Sequence, residues 1–240
     1  MQRQNRATIA CMPSWNIHTA HAERLLAQEE PAALGIRCVD AFLLGNLLPD
    51  IYVGYMVPDV SHKIPYRETH FADPSFVPEP RYWEFVEGFA CANSEGHVSD
   101  LVLGAWAHLV ADHDYNKHNN AFIAEHGIEP GEKTRIRKQG DFDLFGRTLD
   151  ISRAPKITAE VLRQCAAFTQ YKLDDEDMRR TQIAMEHIVA DNAARHIAGT
   201  PTYSMLDEAF FASTFDAVTE HIRSGLHAYV AGEADWGTRH

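Results

Sequence analysis

Apolar positions along this chain recur three and four residues apart, and no stretch sustains the alternation of a half-buried strand. Residues 16–29 set Ile17, Ala20, Leu25 and Leu26 against polar Glu23, Arg24 and Gln28, which predicts a first amphipathic helix. A second, strongly apolar helix is predicted over 38–48, ending near Leu48-Pro49-Asp50. Helices follow over 81–92, 99–115, 117–126, 130–145, 157–170 and 174–198, the last of these closed by Gly199 and Pro201. The final helix, about 204–231, repeats Phe211, Phe215, Val218, Ile222 and Tyr229 at helical spacing, with Ser204 and Asp207 as its start signal. The pattern predicts an all-α fold, a single-domain helical bundle.

One segment breaks the pattern. Residues 49–80 hold Pro49, Pro58, Pro65, Pro74, Pro78 and Pro80, six of the chain's 11 prolines, so no long helix runs there. The same stretch carries Tyr52, Tyr55, Tyr66, Phe71 and Phe76, too aromatic for a disordered linker. It reads as a long ordered loop laid across the helices.

Composition narrows the class. A 45% apolar content over 240 residues supports a substantial core. The net charge of −12 argues against general nucleic-acid binding, which needs a basic stripe for phosphates. Cys11, Cys38, Cys91 and Cys165 form no CxxC pair, so neither a thiolate zinc site nor a disulfide framework is expected. No signal peptide and no apolar run of membrane-spanning length are visible, so a cytoplasmic protein is expected. Residues 1–11 read as an N-terminal extension and 12–235 as the helical domain.

The chain carries 14 histidines, and their placement matters more than their number. Gly104 to Asp112 reads as a buried helix, yet His108 and Asp112 sit four residues apart on one face. Buried polar groups need partners, and a divalent metal suits both side chains. A helix pair satisfied without metal is the plainer alternative. His18 opens the first helix, with His21 a competitor one turn on; Asp50 follows Pro49; His70 lies in the proline-rich loop. Ligands on separate helices converge when the helices pack as a bundle.

Four pieces in this order, Ser14-Trp15-Asn16-Ile17-His18, Leu44-Gly45-Asn46-Leu47-Leu48-Pro49-Asp50, Thr69-His70-Phe71 and Gly104 to Asp112, resemble the zinc-dependent phospholipase C family. That family is related in fold to the S1/P1-type zinc nucleases, and the resemblance spans about residues 12–120. It implies an all-α, phospholipase C/P1 nuclease-like bundle with a metal cluster at the base of a cleft. Carried onto this chain, Asp50, His70, His108 and Asp112 hold one zinc ion, and His18 helps hold a second that Asp112 bridges. His118, ten residues beyond His108, falls where a ligand of the remaining site lies. The chain also departs from the family's pattern. Fourteen residues precede Trp15, whose amine is a ligand in the secreted enzymes, and no His-x3-Glu follows His118. Asp141 and Asp143 are candidate substitutes. No C-terminal β-sandwich is evident. One or two ions are therefore expected rather than three, with zinc or another divalent transition metal bound.

The resemblance implies a metal-dependent hydrolase of phosphoric esters, its substrate a small molecule or a lipid. Asp50 or Asp112 would accept the proton of the attacking water, and Tyr52, Tyr55, Tyr66 and Phe71 would contact the substrate. Two other readings compete. His113-Asp114 invites comparison with HD-type nucleotide phosphohydrolases, and a non-catalytic helical domain would keep a metal for stability. Glu186-His187, with Asp191 and His196 on the long helix, is a further polar group, read as a solvated face.

Overall fold

Ten α-helices and no strand occur among the residues described by the computed structural model, which are 14–91, 96–233, 236 and 237. In chain order they are α1 (Trp15–Gln28), α2 (Val39–Gly45), α3 (Leu48–Ile51), α4 (Tyr66–Thr69), α5 (Tyr82–Phe89), α6 (Asp100–Glu125), α7 (Glu132–Gly146), α8 (Ala159–Ala167), α9 (Asp175–Ala194) and α10 (Glu208–Val230), with a 3-10 turn at Pro31–Leu34. The proposed boundary at residues 11 and 12 lies outside the described residues, as does Cys11. No helix among those described is long and apolar enough to cross a membrane. Cys38, Cys91 and Cys165 are free thiols.

The axis of the fold is α6, a helix of 26 residues whose first half is buried on every face. A helix that is apolar all round belongs in the middle of a bundle. The α2 helix crosses it so closely that only glycine fits the contact. A Cβ at Gly104 would stand 2.1 Å from the Phe42 carbonyl oxygen, and one at Gly45 would stand 2.1 Å from that of Leu101. The α10 helix packs on α6 from another side, and α1 packs against α7, α9 and α10. Trp15, Ile17, Phe42, Leu44, Trp106, Leu109, Phe142, Val218 and Ile222 belong to one continuous apolar cluster.

Several predicted boundaries move. The expected helices 99–115 and 117–126 are one, because α6 runs on through Asn116 and Asn120. Their carboxamides donate outward instead, to the carbonyls of Pro78 at 2.7 Å and Val77 at 3.1 Å. The apolar helix predicted over 38–48 breaks at Asn46 and Leu47. Pro49 then sits inside the first turn of α3, where a missing N–H leaves nothing unsatisfied. The proline-rich segment, expected as an ordered loop, contains the short helix α4. The last helix begins at Glu208: Asp207 caps it by accepting the Phe210 N–H at 2.7 Å, while Ser204 lies outside it.

Candidate metal centre

Four elements deliver five side chains to one point beside the middle of α6. His18 comes from α1, Asp50 from α3, His70 from the end of α4, and His108 with Asp112 from α6. Asp50 is 2% exposed and the other four are 0% exposed. The i, i+4 spacing on α6 puts the Asp112 carboxylate 3.7 Å from His108 Nε2.

Backbone acceptors fix the tautomers. His108 Nδ1 lies 2.9 Å from the Asn46 carbonyl oxygen, which can only accept, so Nδ1 carries the proton. His70 Nδ1 lies 3.2 Å from the Tyr66 carbonyl and 2.7 Å from Thr69 Oγ1, and Thr69 spends its own proton on the same Tyr66 carbonyl. Both Nε2 atoms therefore present lone pairs, and they face each other at 3.2 Å. Two lone pairs at that distance repel unless a positive charge lies between them. Burial lowers the proton affinity of both rings, well below the ordinary range for His108, so a shared proton is disfavoured. A metal ion meets the same demand without that cost.

The distances suit one. Donors about 2.0–2.1 Å from a tetrahedral zinc stand roughly 3.3 Å apart. Here His70 Nε2 is 3.3 Å from Asp112 Oδ2 and 3.6 Å from Asp50 Oδ1, and His108 Nε2 is 3.9 Å from Asp50 Oδ2. His18 stacks on the His108 ring with centroids 3.9 Å apart, its Nε2 3.2 Å from Asp112 Oδ1. Two ligand triads result, His18 with Asp50 and His108, and His70 with His108 and Asp112. The two oxygens of Asp112 thus face different histidines.

The polar atoms left over point to the same conclusion. Both ring nitrogens of His18, Asp50 Oδ1 and Asp112 Oδ1 are buried with no hydrogen-bond partner. His18 Nε2 and Asp112 Oδ1 at least face each other at 3.2 Å, but His18 Nδ1 and Asp50 Oδ1 have no partner within hydrogen-bond distance, a penalty for a core without an ion. Burial and the nearby Asp112 charge push the Asp50 carboxyl well above its ordinary value. Burial would raise Asp112 as well, but His108, His18 and His70 outweigh it and hold that carboxyl low.

The same burial gives the metal-free protein a pH dependence. His21, His70, His108 and His113 all have depressed proton affinity, with burial the largest cause. Each binds its proton more weakly folded than unfolded, so each withdraws stability as pH falls below about 6.5. Asp50, raised in the fold, works in the opposite direction. Four groups against one predict a urea midpoint for the metal-free protein that drops between pH 7.5 and pH 5.5. A flat midpoint over that range would contradict this account.

Other predicted residues go elsewhere. His118 faces α10, its Nδ1 3.1 Å from Thr214 Oγ1, and ten residues of helical rise separate it from His108 by about 15 Å. Asp141 is buried, but its carboxylate accepts the backbone N–H groups of Ser204, Met205 and Leu206 at 2.6, 2.7 and 2.9 Å. Both its oxygens are engaged in turning the chain into α10. Asp143, His187 and Asp191 line a surface cavity of about 410 Å³ on the α7 and α9 side, where Asp191 pairs with Arg195 at 2.9 Å. Glu186 accepts from Gln182, and His196 pairs with Asp150. Adjacent on α6, His113 and Asp114 point apart: His113 donates to the Pro80 carbonyl, and Asp114 pairs with His221 at 2.7 Å. No ligand group forms around either among the described residues. His21 is occupied between Tyr115 and Thr219.

Of the four aromatic candidates, only Tyr66 reaches the cluster. It is half-buried, stacks on His70 at 3.9 Å, and sets its hydroxyl 3.5 Å from Asp112 Oδ2. Tyr52 is sealed in the core and accepts the Asp174 N–H; Tyr55 points to solvent; Phe71 packs on Phe85 and Phe89. Two supporting residues escaped the sequence reading. The Trp15 indole donates to Asp50 Oδ2 at 3.0 Å, and the Tyr171 hydroxyl donates to the Thr69 carbonyl at 3.0 Å, beside His70. Trp15 lies in a motif quoted above, but nothing in a sequence tells an indole that packs from one that also donates. Comparison with protein-family models, curated proteins and solved structures gives no match to this chain.

Proposed function

We propose that this protein is a metal-dependent hydrolase of phosphoric esters, with zinc as its ion and a phospholipase C-like arrangement of ligands. The observation that carries the metal is the pair of imidazole Nε2 atoms 3.2 Å apart amid two buried carboxylates, each ring's Nδ1 facing a backbone carbonyl. The ester specificity comes from the motif order, His18, Asp50, His70, then His108 with Asp112. In such a site a divalent ion lowers the pKa of water and polarises a phosphoryl oxygen. His70, His108, Asp50 and Asp112 would hold the principal ion, and His18 with Asp112 Oδ1 would serve a second. Trp15 restrains Asp50 Oδ2 and so orients the carboxylate, whose Oδ1 would either ligate the ion or accept a proton. Tyr66, half exposed above the cluster, is the side chain placed to meet a substrate.

One observation favours a second reading. All five ligand residues are sealed from solvent, as in a structural site closed by protein donors. Zinc-loaded protein assayed on bis(p-nitrophenyl) phosphate and on phosphatidylcholine vesicles separates the two. The hydrolase reading expects zinc-dependent turnover of at least one probe, lost in His108→Ala. Stoichiometric metal, a large fall in melting temperature on its removal, and no turnover of either probe would establish the structural reading instead.

A further inference from the structure

Where α1, α2 and α6 meet, one residue touches two of the three histidines from outside the ligand set. Asn46 is 3% exposed and closes α2. Its carboxamide nitrogen donates to the His18 carbonyl at 2.8 Å, across 28 residues of chain. Its own carbonyl accepts the Nδ1–H of His108 at 2.9 Å. Its backbone N–H donates to Phe42, whose carbonyl is the one pressed against Gly104. A single residue therefore ties the backbone of α1 to the ring of His108 at the close glycine contact between α2 and α6.

We propose that Asn46 is a positioning residue of the metal centre, whose side-chain amide sets His18 against His108. The proposal rests on the reading of the five-residue cluster as a metal site. The contacts divide its work. The backbone carbonyl fixes the His108 tautomer and survives any substitution at this position. The carboxamide holds the turn of α1 that carries His18, so that the two imidazoles stack at 3.9 Å and His18 Nε2 stands 3.2 Å from Asp112 Oδ1. His18 Nδ1 has no partner, so apart from the ring stack and the Nε2 contact with Asp112 Oδ1, this backbone tie is what orients the ring. In other metal sites the ring's second nitrogen is held by an outer partner. Here the restraint passes through the main chain.

The test is a double-mutant cycle on Zn²⁺ affinity, read by competition with a chromophoric chelator. The proteins are wild type, Asn46→Ala, His18→Ala and the double variant. Asn46→Ala should weaken Zn²⁺ binding by about 10- to 100-fold, the usual effect of removing an outer-shell partner. In the His18→Ala background the same change should weaken it less than about threefold, because the group it positions is gone. Asn46→Asp keeps the shape and removes the donor, so it should lose affinity as Asn46→Ala does. The visible absorption of the Co²⁺ form of both Asn46 variants should move toward that of His18→Ala. Wild-type affinity in Asn46→Asp, or a full additive loss in the double variant, overturns the positioning role while the metal site stands. A wild-type protein that binds no Zn²⁺ overturns both.

Discussion

Asp112→Asn is expected to leave a folded helical protein with a sharply weakened affinity for the proposed metal. The substitution keeps shape and volume at a position 0% exposed, but replaces a charged donor with a neutral amide. Structural zinc sites with four protein donors bind with about 10–16 kcal/mol, so one donor carries roughly 3 kcal/mol, or about 100-fold in affinity. Asp112 should exceed that share. Its two oxygens lie 3.2, 3.3 and 3.7 Å from three separate imidazoles, so its loss touches every histidine in the cluster. The expected result is a fall in Zn²⁺ affinity of about 100- to 1000-fold, with helical circular dichroism retained. Metal content equal to wild type after dialysis would remove Asp112 from the site. Asp141→Asn serves as the contrast. It should leave metal content untouched and lower stability, because three backbone N–H groups lose a charged acceptor.

That contrast shows what a sequence discloses and what it withholds. His108 and Asp112 could be paired from spacing alone, because helical periodicity is local. The all-α class follows from the same periodicity. His18, Asp50 and His70 could be joined to them only through the order of the motifs, since no local rule brings α1, α3 and α4 to one point. His118 and Asp141 had equally suitable chemistry, and they differ from the ligands only in their partners. Asp141 finds backbone amides some 63 to 65 residues away, a contact no spacing announces. Asn116 falls in the gap expected between two helices and is instead a helix residue which, like Asn120, holds a neighbouring loop with its side chain. Tyr52 looked like a cleft residue because aromatic loops line clefts, yet its hydroxyl is needed to satisfy the Asp174 N–H. In each case tertiary hydrogen bonding redirected a group whose local signal was correct.

The proposed metal centre depends on a backbone contact as much as on its candidate ligands, and Gly104→Ala tests that dependence. The added Cβ meets only backbone: the Phe42 oxygen at 2.1 Å, the Asn46 nitrogen at 2.8 Å and the Gly45 carbonyl carbon at 3.0 Å. No side chain can rotate away, so α2 must retreat from α6 by roughly 1 Å to restore an ordinary carbon–oxygen contact. Overpacking of this kind costs about 3 kcal/mol or more, which lowers the melting temperature of a chain this size by roughly 6–12 °C. The retreat also carries Asn46 away from His108 and stretches the 2.9 Å bond that fixes its tautomer. Zn²⁺ affinity should therefore fall together with stability, although residue 104 supplies no ligand atom. Gly140→Ala is the matched control, since a Cβ there meets nothing within 4 Å and the site lies inside α7. Replacing that glycine should add about 0.5–1 kcal/mol of helix stability and leave metal binding unchanged. Equal melting temperatures for the Gly104→Ala protein and wild type would mean that α2 and α6 do not meet backbone to backbone. The geometry assigned to the metal centre would then fall with that contact.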